Sequence, residues 1–243
     1  MQAKIRGERS GIRGQSSEFG PLKTANGFTL VELLVVIAII ALLAGMIFPI
    51  TGAVTRARIR SRAQAELTQI ETYIEAYKIK LGHYPLDNNG YYTTNQLFYE
   101  LSGTTLNNGV YKTLDGSATI DASAVSNVFK NVSGFVNCTR GGGGDEGGAA
   151  EAFLKGPKPE QLAELDSGAK VLVGPIPWPA GSYQPMPVPP AKTVGLNPWC
   201  YNSSHPTNNP TTYDLWIDVM VGGKTNRVCN WSKTVLTVSS PYP

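Results

Sequence analysis

FTLVELLVVIAIIALLAGMIFPI, residues 28–50, is one apolar run carrying a single charge, Glu32. As a helix rising about 1.5 Å per residue, it is long enough to cross a hydrocarbon core of about 30 Å. A secretory signal has an apolar core of about 7–15 residues closed by a small-x-small cleavage site. This run is longer, has a carboxylate near its start and leads into further helical pattern. Three readings compete: a cleaved secretory signal, an uncut signal anchor, and a precursor cut before the run so that the run stays attached. The third accounts for the length, the carboxylate and the continuation together.

Upstream, residues 1–27 set Lys4, Arg6, Arg9, Arg13 and Lys23 against Glu8 and Glu18, a formal charge of +3. The whole chain of 243 residues is also +3, so residues 28–243 are neutral by formal count. Global charge therefore gives no argument for nucleic-acid binding, and neutrality is tolerable in a subunit that associates. The leader is polar, basic and rich in Gly and Ser, and disorder is expected there. Charge alone leaves the orientation of the run open, because Arg56, Arg58, Arg60 and Arg62 follow it closely.

Downstream, Ala63, Leu67, Ile70, Ile74, Tyr77 and Leu81 are spaced 4, 3, 4, 3, 4. That spacing predicts a helix with one narrow apolar stripe. Gly82 is a natural stop and Pro85 cannot continue the helix. Residues 28–82 thus read as one helix of roughly 80 Å. Gly45, Pro49 and Gly52 mark a weak point in it, where a kink or a locally melted turn is expected.

The remainder divides less cleanly. Thr94–Leu101 has helical spacing, and 103–135 mixes Thr, Val and Gly in a way that fits short strands or little regular structure. GGGGDEGG (141–148) reads as a flexible linker. Residues 151–165 read as a helix broken by its prolines, and 174–190 is too proline-rich for helix or central strand, so a long surface loop is expected. Tyr213–Val221 and Arg227–Val238 are rich in β-branched and aromatic residues, and Gly222-Gly223 between them is a hairpin signal. Trp199, Trp216 and Trp231 are candidates for core area against the long helix. The fold class expected is α+β, a long N-terminal helix packed on a small antiparallel sheet.

Three cysteines, Cys138, Cys200 and Cys229, allow one bridge and leave one thiol over. Cys200–Cys229 is the pair favoured here, because both lie in the strand-rich C-terminal stretch. Three buried free thiols are the alternative. A zinc site is disfavoured, since there is no CxxC and His83 and His205 are far apart in sequence. No Ser/His/Asp constellation, paired-carboxylate motif or phosphate loop stands out, so no enzymatic activity is expected.

Residues 27–49 resemble the prepilin N-terminal signature of type IV pilins and of the pseudopilins of type II secretion. The elements are Gly27 before the cut, Phe28 as the first mature residue, Glu32 fifth in the mature chain, and an unbroken apolar helix with a proline at Pro49. The resemblance implies cleavage between Gly27 and Phe28 by a prepilin peptidase, which also N-methylates Phe28. It implies a pilin-like fold and an organisation of four parts: leader 1–27, transmembrane half-helix 28–50, amphipathic half-helix 51–82, and periplasmic domain 83–243 with an insertion around 103–190. It further implies a single-pass bacterial inner-membrane location, a homopolymeric filament of like subunits and an inner-membrane assembly platform as partners.

In this family Glu32 is thought to attract the new amine of a neighbouring subunit and set axial register. The plainer alternative is that it neutralises the Phe28 amine of its own chain. For Pro49 the alternatives are extension under load and a passive kink. GHYPLDNNGYYTTNQLFYEL (82–101) resembles the pseudopilin pattern of a glycine, a Tyr-Pro pair and a short helix, and NPWCYNSSHPTNNPTTYDLWIDVMVGG (197–223) resembles the end of the major, G-type pseudopilin. Where such proteins carry a calcium-holding loop, this chain offers only Asp214 and Asp218, and calcium, which favours six to eight oxygens, is disfavoured as a cofactor. The resemblance points to a structural subunit of a secretion pseudopilus. A type IV pilin is the runner-up. A third reading is a membrane-tethered binding module that recognises an exported polymer through loop aromatics such as Trp178 and Tyr183.

Overall fold

The structure is a computed structural model, and it describes residues 27–88, 90–130, 132–140, 148–182, 184, 188–191 and 195–238, with only the helical backbone at 46–51. Residues 1–26 of the leader, most of GGGGDEGG and Tyr183 lie outside the described residues. The chain divides into two compact units between Pro49 and Ile50.

The first helix, α1 (Leu30–Leu81), runs through that division. Its backbone is helical at Pro49, so the melted turn expected there is not found. The loss of one hydrogen bond at a proline does not by itself end the element. Glu32 apart, α1 in the first unit is apolar on every side: Val31, Leu33, Leu34, Val35, Val36 and Ile37 are all exposed. Successive helical residues point about 100° apart, so these six side chains leave no polar face.

In the second unit the stripe expected from periodicity is the core face of α1. Ala63, Leu67, Ile74 and Tyr77 are fully buried and Ile70 nearly so. They pack in one cluster with Leu97, Phe98 and Leu101 of α2 (Leu97–Ser102) and with Trp199. A first sheet has the order β3-β2-β1-β4, from Thr119–Asp121, Val110–Thr113, Thr104–Asn107 and Cys138–Arg140. All its pairings are antiparallel except β1 with β4. Between β3 and β4 stands α3 (Ala122–Val128).

A second sheet is antiparallel throughout, in the order β10-β9-β8-β7, from Leu236–Thr237, Lys224–Cys229, Asp214–Val221 and Cys200–Asn202. Val221 pairs with Lys224 across Gly222 and Gly223, whose φ angles are +60° and +75°. Two positive φ values in a two-residue loop are what a type I′ hairpin requires, and glycine supplies them without strain. The whole is α+β with antiparallel-rich sheets, as the pilin-like expectation has it.

Three expectations need correction. Residues 151–165 form no α-helix. Pro157 and Pro159 remove donors and bias the residues before them to extended backbone, and the segment becomes a 3₁₀ turn, Pro159–Gln161, leading into β5 (Leu162–Glu164), which pairs with β6 (Lys170–Leu172). The helix expected over Thr94–Leu101 begins only at Leu97, because the Asn95 side chain is engaged with the carbonyls of Tyr92 and Trp199. Of the three tryptophans, only Trp199 joins the α1 core. Trp216 is on the other face of β8, with Tyr92, Trp231 and Leu236 packed around it.

The domain interior contains ionisable groups, each with partners. Glu100 of α2 is fully buried and accepts Tyr77 Oη–H at 3.0 Å, Val136 N–H at 2.8 Å and Asn137 N–H at 2.9 Å. Burial nonetheless pushes its carboxyl up, against those hydrogen bonds. Glu66 on α1 accepts Gln161 Nε2–H at 3.0 Å, and burial raises it as well. Asp218 and Arg227, opposite each other on β8 and β9, form a bidentate buried pair at 2.8 and 3.0 Å.

Glu100→Ala strands the buried donors Tyr77 Oη–H and Asn137 N–H, each costing about 1–3 kcal/mol, and the part-buried Val136 N–H. The variant is expected to lose about 3 kcal/mol or more in denaturation of the purified chain, and Tyr77→Phe about 1 kcal/mol. A Glu66 carboxyl raised in the folded state binds its proton more tightly there than in the unfolded chain. Its contribution is therefore fully present below the ordinary value of 4.5 and is lost as pH rises through the raised folded value. The melting temperature of Glu66→Gln relative to wild type is expected to climb with pH across that window. A difference that stays flat with pH counts against this account.

Candidate functional site: the N-terminal processing segment

Gly27 precedes α1, and among the described residues nothing lies within 4 Å of the place a β-carbon would occupy. Phe28 is 78 % exposed. The scissile bond proposed from sequence is thus open backbone flanked by a residue with no side chain. The next residue, Thr29, caps the helix. Its Oγ1 accepts the Glu32 N–H at 3.2 Å, while Glu32 Oε2 accepts the Thr29 N–H at 2.9 Å and the Thr29 hydroxyl at 2.7 Å. This is a reciprocal capping box, which satisfies donors that a helix start leaves orphaned. Glu32 is exposed, and among the described residues Thr29 is its hydrogen-bond partner. Thr29 has no place in the sequence expectations above, although Thr-x-x-Glu ahead of an apolar run is the sequence signature of this cap.

The Cys200–Cys229 disulfide is not formed; Cys138, Cys200 and Cys229 are all free thiols. The sheet register explains why. Cys200 pairs with Trp216 on one side, and Trp216 pairs with Cys229 on the other. The two cysteines are two strands apart, about 10 Å at the usual inter-strand spacing, where a disulfide needs Cα atoms within about 7 Å. The indole of Trp216 stands in the row between them. Burial pushes the Cys229 thiol up to about 11, and the Cys200 thiol well above its ordinary value.

The loop before β8 is tied down by Asp214, which is fully buried. Its Oδ2 accepts Thr207 N–H at 2.8 Å, Asn208 N–H at 2.9 Å and Asn208 Nδ2–H at 3.1 Å, and its Oδ1 accepts Asn209 N–H at 2.9 Å. Asp87 holds the start of the same loop through the amides of Ser203 and Ser204 and the Ser204 hydroxyl. Asp214 and Asp218, the carboxylates weighed as calcium ligands, thus face N–H donors and a guanidinium. Among the described residues no group of three or more His, Cys, Asp or Glu side chains is placed to hold a metal ion.

His83 and His205 are exposed loop residues. Trp178 is buried, with its indole N–H donated to Ser182 O at 3.3 Å, so it is not available as an exposed recognition aromatic. A different aromatic surface is open: a groove of about 440 Å³ lined by Tyr91, Tyr92, Lys130, Asp166 and Pro189, among others.

Among the described residues no helix is long and apolar enough to cross a membrane. The apolar run continues in sequence through Ile50, and the side chains of 46–51 are outside the described ones. The prokaryotic N-terminal methylation motif matches residues 22–48. That match supports a prepilin-type protein, like the type IV pilins and pseudopilins, with an N-terminus that a prepilin peptidase processes and that points to membrane anchoring. No curated protein and no solved structure matches the chain.

Peptide mapping under non-reducing conditions is expected to find Cys200 and Cys229 both as free thiols. Alkylation of the folded chain should reach the half-buried Cys138 first. Recovery of a Cys200–Cys229 cross-linked peptide from folded protein would contradict the register.

Proposed function

We propose that the chain is a structural subunit, a pseudopilin of a type II secretion pseudopilus. It is cut between Gly27 and Phe28, methylated on the new amine of Phe28, and assembled through α1 into a periplasmic filament that supports protein export. The role is mechanical and not catalytic. The observation that carries this reading is the methylation motif at 22–48 lying on a helix start that is open at Gly27, capped by Thr29 and Glu32, and apolar on every side beyond. Such a surface calls for lipid before assembly and for other helices after it.

Glu32 has two tasks in this reading. Oε2 closes the first turn, and the exposed carboxylate remains an acceptor for the amine of a neighbouring subunit. An amine and a carboxylate in an apolar setting are each costly alone and favourable together. The cap uses Oε2, so capping the helix and meeting a neighbour's amine do not require the same oxygen; the plainer alternative, neutralisation of the chain's own Phe28 amine, is separate from the cap.

The runner-up, a type IV pilin, is favoured by one observation. Asp214 is occupied with the amides of Thr207, Asn208 and Asn209, which departs from the calcium-holding loop of major pseudopilins. Inner-membrane location, the assembly platform as partner and major or minor standing within the filament belong to the same proposal.

N-terminal sequencing of the mature protein is expected to begin at Phe28, one methyl group heavier than the unmodified residue. Glu32→Ala should still be cut there while filament yield falls about tenfold or more, as for loss of an ion pair in an apolar setting. Normal assembly by the cut Glu32→Ala protein would remove the register role.

A further inference from the structure

Along α1, the first residues of the globular unit read TGAVTRARIRSR (51–62), with four arginines and no acid before Glu66. At about 100° per residue, Arg56 and Arg60 lie on one side of the helix and Arg58 and Arg62 on the opposite side. All four are exposed. The β8–β9 hairpin tip joins this ring. Arg60 donates to Asn226 Oδ1 at 2.9 Å, and the β-carbon position of Gly222 is 3.4 Å from Arg56 Cδ. Lys224, next along the hairpin, is exposed, and no acid occurs anywhere in 219–243. Among the described residues the ion pairs are Arg227–Asp218 and Lys80–Glu151, so the ring arginines have no carboxylate bridge of their own. Arg62 does act electrostatically on the buried Glu66.

We propose that Arg56, Arg58, Arg60 and Arg62, with Lys224, form a collar that binds anionic phospholipid headgroups on the membrane face from which the domain emerges. The proposal rests on the membrane-anchored reading above. Arg56 comes six residues after Ile50, about 9 Å of helix. An arginine stem spans much of that distance when it lies back along the helix, with its head at the phosphate level. Guanidinium groups match phosphate oxygens in bidentate geometry. Charge and placement favour headgroups over a single second copy: the cations stand on opposite sides of the helix a few residues past the apolar run, where small anionic groups can reach each of them from several directions, whereas one second copy covers one side. Before assembly the collar would hold the subunit at a fixed depth, and extraction into a filament would have to break it.

The test uses the full chain, reconstituted into phosphatidylcholine vesicles containing a minor fraction of phosphatidylglycerol. The vesicles are washed at alkaline pH and divided into polymer-bounded discs, and the lipids that co-purify are quantified. A basic side chain near an anionic surface favours the charged lipid by on the order of fivefold. Phosphatidylglycerol is therefore expected to be enriched over its bulk fraction at low salt, and the enrichment to vanish in high salt. The variant R56Q/R58Q/R60Q/R62Q should return to the bulk ratio, while the fourfold Arg→Lys variant keeps much of the enrichment and controls for folding.

Wild type at the bulk ratio, or equal enrichment in the Gln variant, overturns the collar. Unchanged lipid ratios together with salt-sensitive cross-linked dimers that the Gln variant loses would assign the arginines to a second copy and likewise overturn it. Protein that washes off the vesicles defeats the anchored reading and the collar together. Protein that stays without enrichment defeats the collar alone.

Discussion

Ala63, Leu67, Ile70, Ile74 and Tyr77 line one side of α1 and are withdrawn from water by Trp199, α2 and the inner face of the second sheet. Each of the larger aliphatic side chains in that stripe gains about 1.5–3 kcal/mol by burial. A single narrow stripe cannot be covered by the helix's own chain neighbours, so distant segments must come to it. That requirement orders the domain. The stripe ends in Tyr77, whose hydroxyl cannot be buried without a partner. Glu100 supplies the partner and uses its remaining capacity on the amides of Val136 and Asn137. Asn137 in turn bonds the carbonyls of Glu100 and Glu151. One buried carboxylate thus connects α1, α2, the approach to β4 and the segment after the glycine-rich stretch.

What the sequence made legible follows from how local each signal is. The α1 stripe was readable because its period belongs to one continuous helix. The hairpin at Gly222-Gly223 was readable because two glycines demand a particular turn. The disulfide was not, because pairing depends on register between three strands, and composition does not show that Trp216 stands between Cys200 and Cys229. The side of Trp216 was equally hidden. Nearly every residue of β8 is buried, so the alternation that tells one face from the other is absent.

The candidate site shows the same division. Gly27, Phe28 and Glu32 stand at fixed offsets from an apolar run, and it is the resemblance to the prepilin signature that singles them out. Thr29 was equally legible, as the first member of a Thr-x-x-Glu box, but was overshadowed by the more conspicuous carboxylate. Asp214 was visible as an acid at a strand start. Its use was not, since Thr207, Asn208 and Asn209 reach it through backbone amides, which every residue but proline carries. Sequence gives the acceptor there and leaves the donors anonymous.

The capping box also bears on where the cut must fall. Thr29 contributes its backbone N–H to Glu32 as an amide, joined to the carbonyl of Phe28. A cut between Gly27 and Phe28 leaves that amide intact and creates the amine one residue earlier. A cut after Phe28 would turn the Thr29 nitrogen itself into an ammonium and place a full charge at the cap position, next to Glu32. The pair would then be satisfied within one chain, and Glu32 would have less reason to seek a second. Cleavage one residue ahead of the cap keeps the helix start closed by neutral donors and sets the new charge just outside it. With the proposed cut, the spacing of Gly27, Thr29 and Glu32 would separate two jobs that a shorter segment would merge: ending the helix cleanly, and presenting an amine and a carboxylate to neighbouring subunits.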